Sequence, residues 1–167
     1  NVELRQLMGE DGYRKLKDNF TEQKFEQNIL EIFSSLTGGG KITLVEYLGK
    51  KFGEEKERIF EKADIFVFPT FYDNECFPLV LLEAMQHGLP IVTTSEGAIC
   101  DIVEDNVNGL IAERMDSHSL AEKIEILLEE KEMRYKMGEK GHCMFKEHFI
   151  FDVFERKMFE ILNSMES

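Results

Sequence analysis

The sequence predicts an α/β fold: a partial parallel sheet with helices on both faces and helical tails at both ends. Three observations carry this. Two short apolar runs, residues 65–68 (IFVF) and 90–93 (PIVT), bracket one helix-length stretch, and continuous apolar runs of this length read as parallel strands buried on both faces. The stretch between them is punctuated, with Pro78 at its start and Gly88 and Pro90 at its stop. The two tails are related to each other by an internal repeat.

Taken in chain order, the repeat comes first. Residues 3–36 align without gaps on residues 132–165, with thirteen identities in thirty-four positions. Met8, Gly9 and Glu10 match Met137, Gly138 and Glu139; Gly12 matches Gly141, Phe20 matches Phe149, and Phe25 and Glu26 match Phe154 and Glu155. Each copy reads as a helix, a break near the first Phe, and a second amphipathic helix. The apolar face of that second helix is Phe25, Ile29, Ile32 and Phe33 in one copy and Phe154, Met158, Ile161 and Leu162 in the other. Glycines shared at fixed positions speak against two unrelated charged helices. The predicted organisation is a helical tail-like segment at 1–37, a Gly-rich joint at 38–41 and a lobe at 42–167.

The lobe opens on a strand at 42–48 and a helix at 54–62. Gly40 and Lys41 do not make a phosphate loop, because that motif needs a second upstream Gly after a strand and a Ser or Thr following the Lys. Strand 65–68 leads through an acidic loop to a helix at 78–87, in which Pro78 suits the first position because its missing N–H would be unpaired there anyway. The run from Leu79 to Met85 is apolar all round apart from Glu83, which predicts a buried helix. Further on, Asp116 and Ser117 precede Leu120, Ile124, Leu127 and Leu128, an N-cap followed by a core-facing stripe.

The chemistry is carried by Glu75 and Glu83, one carboxylate before the helix and one within it. In strand–loop–helix–strand units, ligands bind beyond the carboxyl ends of the strands, where a helix N-terminus offers N–H groups and a positive dipole end. Glu83 lies roughly 7.5 Å along the helix axis from Pro78, at about 1.5 Å per residue. That offset suits a ligand with phosphates at the helix start and sugar hydroxyls further along, because a carboxylate accepts from both hydroxyls of a ribose diol. The alternative places Glu83 on one exposed strip of the helix and Glu75 on a solvated acidic loop.

The segment from about Ile42 onward, three quarters of the chain, resembles the donor-binding C-terminal lobe of the retaining GT-B glycosyltransferases of family 4. The resemblance rests on Phe68 and Pro69, Glu75, Phe77-Pro78-Leu79, Glu83, Ala84, Gly88, Pro90-Ile91-Val92, Thr94 and Gly97, then on residues 101–105 and Asn108-Gly109-Leu110. It implies a partial Rossmann-like sheet, with Glu75 as the catalytic-site contact to the donor sugar, Glu83 as the ribose ligand, and Cys76, Phe77, Pro78 and Leu79 as the donor-binding step. Pro78 stands where many members have Gly and offers no backbone N–H, so Phe77 and Leu79 are the expected backbone donors. The resemblance further implies transfer with retention from a nucleotide diphosphate sugar to a saccharide or lipid-linked glycan, as in polysaccharide biosynthesis. The strand, helix and strand that open such a lobe have no counterpart before Ile42, so the lobe reads as truncated at its start and the basic residues for the donor phosphates are undefined. Lys41, Lys50, Lys51 and Lys56 are the nearest candidates, against plain surface lysines.

Composition bounds the rest. A formal charge of −13 repels phosphate backbones and anionic surfaces, so nucleic acid is not an expected partner. No apolar run approaches a membrane span and no signal pattern opens the chain, which gives a cytoplasmic expectation, with the inner face of a membrane as a setting for the full enzyme. Cys76, Cys100 and Cys143 read as reduced thiols. His87, His118, His142 and His148 lack metal-ligand spacing with them, and no Asp-x-Asp occurs, so the expectation is no metal and no cofactor. The expected partners are a nucleotide-sugar donor, an N-terminal acceptor lobe that this chain lacks, and a second copy joined through the helical tails. Without the acceptor lobe the chain alone is expected to be inactive in transfer. Two competing readings are a catalytically inactive fragment or assembly module built on the duplicated tail, and a different GT-B enzyme such as a sugar-nucleotide epimerase.

Overall fold

The computed structural model describes residues 48–71 and 75–165. The tail copy at 3–36, the joint and the strand expected at 42–48, Leu48 apart, lie outside the described residues, as do Tyr72, Asp73 and Asn74. The chain divides into two units, Asn1–Gly49 and Lys50–Ser167.

The second unit has the order α1 (Gly53–Lys62), β1 (Phe66–Phe68), α2 (Leu79–Gln86), β2 (Ile91–Thr94), a 3-10 turn (Gly97–Asp101), β3 (Gly109–Ala112), α3 (Ser117–Glu129), α4 (Lys131–His148) and α5 (Phe151–Met165). The three strands form a parallel sheet in the order β1-β2-β3, with Phe66 opposite Ile91 and Ile91 opposite Gly109. All four residues of β2 are buried, as the middle strand of a helix-covered parallel sheet should be.

The core lies between the sheet and α2. Leu81, Ala84 and Met85 of α2 meet Ile91, and Ile99, Ile102 and Val103 from the turn after β2 join them, with Phe60 of α1 closing one side. On the other helical layer, Leu120, Ala121, Ile124 and Leu127 of α3 are buried and α3 packs on β2 and β3. Asp116 is the N-cap that its spacing predicts, since its side chain accepts from the backbone N–H groups of His118 and Ser119. Leu128 does not join the stripe. It is exposed, because it follows Leu127 by one position and so points about 100° away on the helix.

Two features of α2 differ from expectation. The helix runs Leu79–Gln86 with Pro78 outside it as the N-cap, at ψ 101°, so Pro78 sets the entry of the chain without being the first helical residue. The apolar run is also not buried throughout: Leu79 is 66% exposed because the first turn projects past the core. The stop is as predicted. Gly88 has φ 68°, its N–H donates to the Met85 carbonyl, and the Leu89 N–H reaches back to the Ala84 carbonyl at 3.0 Å, the bond pair of a Schellman cap, which favours Gly at this left-handed position.

The break expected near Phe149 is present, since α4 ends at His148 and α5 begins at Phe151. The apolar face expected on α5, Phe154, Met158, Ile161 and Leu162, lies on one helix and is exposed among the described residues. Phe151, Phe154, Phe159, Ile161, Leu162 and Met165 are all exposed, and only Val153 is buried.

Candidate functional site

Because the strands are parallel, the segments that follow them emerge on one edge. The loop of residues 69–78 follows β1, Glu96 and Gly97 follow β2, and Arg114 follows β3. Polar contacts fasten the loop to that edge. The Thr93 hydroxyl donates to the Phe68 carbonyl at 2.8 Å and the Thr94 hydroxyl donates to the Thr70 carbonyl. Arg114 donates from Nη2 to the Phe71 carbonyl at 3.0 Å and pairs through Nε with Glu96 at 2.9 Å. Glu96 is buried, and a buried carboxylate needs such a partner.

Glu75 is set by its backbone. Its carbonyl accepts from the Ala98 N–H at 3.2 Å, and the approach is close enough that a Cβ on Gly97 would overlap that carbonyl. Gly97 also has φ 51°, so both the close approach and the left-handed backbone call for glycine. The side chain of Glu75 is half-buried. Cys76 is exposed. Phe77 is 42% exposed, with its ring centroid 6.2 Å from that of Phe149. Pro78 is buried and makes no side-chain cap on the helix start; the Leu81 N–H donates to the Pro78 carbonyl at 3.0 Å, and the positive dipole end of α2 lies at Leu79.

Glu83 lies on the partly open side of α2. Its carboxylate Oε1 is 2.5 Å from the Lys56 ammonium on α1, with both side chains about one-third exposed at 34% and 30%. One turn further, His87 faces the Glu83 carbonyl through Nδ1 and the Glu57 carboxylate through Nε2, each at 2.9 Å. Its ring stacks on Phe60 at 5.1 Å. Adjacent residues of α1, Lys56 and Glu57, thus grip Glu83 of α2 and His87, the C-cap of that helix one turn further on. No local sequence pattern signals this ladder, and only the placement of α1 beside α2 reveals it. Lys51, just before α1, pairs with Glu55 of that helix and Lys50 is exposed, while Lys41 lies outside the described residues.

A cavity of about 280 Å³ lies elsewhere, lined by Gln86, His87, Gly88, Tyr135, Glu139 and His142. It sits at the C-terminal end of α2, where the helix dipole disfavours anions, so the strand edge and not this cavity is the candidate site. Here Tyr135 donates to Glu139 at 3.0 Å, and that hydrogen bond raises the phenol pKa. Among the described residues no group of three His, Cys, Asp or Glu is disposed to hold a metal ion, and no helix is long and apolar enough to cross a membrane.

Residues 40–143 match the family of glycosyl transferases group 1. The chain belongs to that family. Its group 1 relatives include an uncharacterized glycosyltransferase of Methanocaldococcus jannaschii, 35% identical over 97 residues, which are 58% of this chain and 27% of that protein. Another is the amylovoran biosynthesis glycosyltransferase AmsK of Erwinia amylovora, 34% identical over 95 residues, 54% of this chain and 23% of the relative. The matched segment therefore spans about a quarter of the length of these relatives. Among solved structures, Anabaena HepE in complex with UDP and glucose superposes with a TM-score of 0.65 at 22% identity, over 83% of this chain and 37% of that one. The likeness establishes the GT-B type of lobe for this group 1 chain.

Proposed function

We propose that this chain supplies the nucleotide-sugar-binding part of a retaining glycosyltransferase of family 4, which moves a sugar from a nucleotide diphosphate donor to a saccharide or lipid-linked acceptor. The observation that carries the reading is the arrangement at the strand edge. The Glu75 loop is docked on Gly97 and Ala98 beside an uncapped helix start, and Glu83 stands about one turn into that helix on its open side. HepE, of the same fold, holds UDP, which supports a nucleotide as the ligand class. In this reading the α2 N-terminus and the backbone N–H groups around Phe77 and Leu79 meet the diphosphate. Glu83 accepts from the ribose diol, and Glu75 meets the donor sugar.

These groups would stabilise the departing diphosphate by fixed dipoles, which cost no reorganisation when the glycosidic bond breaks. The acceptor and the other wall of the cleft belong to a second lobe. Calorimetric titration with UDP and with GDP tests the assignment. Glu83→Gln should weaken the bound nucleotide by about 1 to 3 kcal/mol, the range for losing charged hydrogen bonds, while unchanged affinity would reject the ribose role. The exposed apolar face of α5 favours a second reading, an assembly module without catalysis, and the same titration separates the two, since an assembly module has no use for nucleotide.

A further inference from the structure

Lys56 occupies a place that the nucleotide-binding reading leaves unexplained. The neighbouring lysine and arginine pairs, Lys51 just before α1 with Glu55, and Arg58 with Glu54 inside it, span four residues each at 3.4 Å, with partners 70% and 90% exposed. Such pairs contribute little. The Lys56 pair joins two helices, 27 residues apart in sequence, at 2.5 Å and with both groups about two-thirds withdrawn from solvent.

The geometry of the carboxylate decides what the pair can do. A carboxylate offers about four lone-pair sites on two oxygens, and Lys56 engages Oε1. Glu83 therefore retains acceptor capacity for a vicinal diol, and its outer torsion, which is broad and soft for a free glutamate, is held by a charge-assisted bond. The two aliphatic stems are also constrained by their helices: α1 is anchored by buried Phe60 and α2 by buried Leu81, Ala84 and Met85. The carboxylate is thus oriented before any ligand arrives, which lowers the cost of binding.

We infer that Lys56 is a positioning residue of the nucleotide site, holding the Glu83 carboxylate in the orientation that accepts a ribose diol. The inference rests on the nucleotide-binding reading and adds to it the residue that makes Glu83 effective. It differs from a phosphate-ligand role for Lys56, in which the cation would meet the anionic end of the donor directly. It differs also from a gate, in which the lysine would have to leave before the diol could bind.

The test is a titration of the full chain with UDP and with its 2′-deoxy analogue, against Lys56→Met, Lys56→Arg, Glu83→Gln and the Lys56→Met/Glu83→Gln pair, with a thermal melt of each variant as a check of folding. The inference predicts that Lys56→Met weakens UDP roughly tenfold and the 2′-deoxy analogue much less. In the Glu83→Gln background Lys56→Met should add less than about twofold, the non-additivity expected of groups that act through each other. Lys56→Arg should restore most of the affinity, because it keeps a cationic donor.

Equal loss for both nucleotides would mean that the pair only ties α1 to α2, and would overturn the inference. Tighter binding on Lys56→Met would make the lysine a competitor for the carboxylate and overturn it too. A loss on Glu83→Gln with none on Lys56→Met would sink the inference and leave the nucleotide-binding reading standing. No binding of either nucleotide to the unaltered chain would remove both.

Discussion

At Gly97 the backbone has φ 51° and the Glu75 carbonyl stands where a side chain would begin. Gly97→Ala must therefore push back the loop that carries Glu75 and also hold alanine in a left-handed conformation. A residue held in that region costs about 1 to 3 kcal/mol, and urea unfolding should show a loss in this range together with weaker nucleotide binding. If the midpoint and the affinity both stay unchanged, the loop is not seated as described. Glu75 and Glu83 could be singled out in the sequence because they bracket the start of one punctuated helix, whereas Gly97 entered only with the family resemblance. Lys56 was named only as a phosphate candidate, and Glu96 and Arg114 not at all, because their partners are brought near only by folding: Lys56 reaches Glu83 across 27 residues, and Arg114 reaches back 43 residues to the Phe71 carbonyl.

Among the elements, α4 shows how sequence and packing combine. It carries two interior glycines, Gly138 and Gly141, both buried. A Cβ on Gly138 would collide with the Gly88 carbonyl, whereas one on Gly141 would make ordinary contacts with Asn108 and Met85 at 3.6 and 3.7 Å. Glycine in a helix interior costs about 1 kcal/mol relative to alanine, so the two positions should respond in opposite directions. Gly138→Ala should destabilise by about 1 to 3 kcal/mol through overpacking, and Gly141→Ala should be neutral or mildly stabilising, as denaturant melts would show. Equal effects of the two substitutions would contradict the packing of α4 on the end of α2. The repeat in the sequence made both glycines conspicuous, yet periodicity carries no information on which one abuts a backbone carbonyl. Helix ends were the better-read features, since Asp116, Gly88 and Pro90 act through their own neighbours, whereas the exposure of Leu79 and Leu128 depends on where the core stops.

Across the whole molecule the chain is acidic, with a formal charge of −13, so the anionic donor of the proposed function would rely on local dipoles such as the N-terminus of α2. The α/β class and the parallel sheet were legible because buried strands and a punctuated helix repeat within about 30 residues, the size of one crossover unit. The covering of α5 was not legible: its amphipathic pattern announces a buried face, but the pattern names no partner, and among the described residues that face is exposed. The central claim, that the donor nucleotide sits at the carboxyl edge of the sheet against α2, is tested most directly by amide hydrogen exchange with and without UDP or GDP. The account predicts added protection confined to residues 75–83, the turn at Gly97–Asp101 and the facing part of α1. Protection appearing instead around Gly88, Tyr135 and His142, or nowhere while nucleotide is bound, would contradict it.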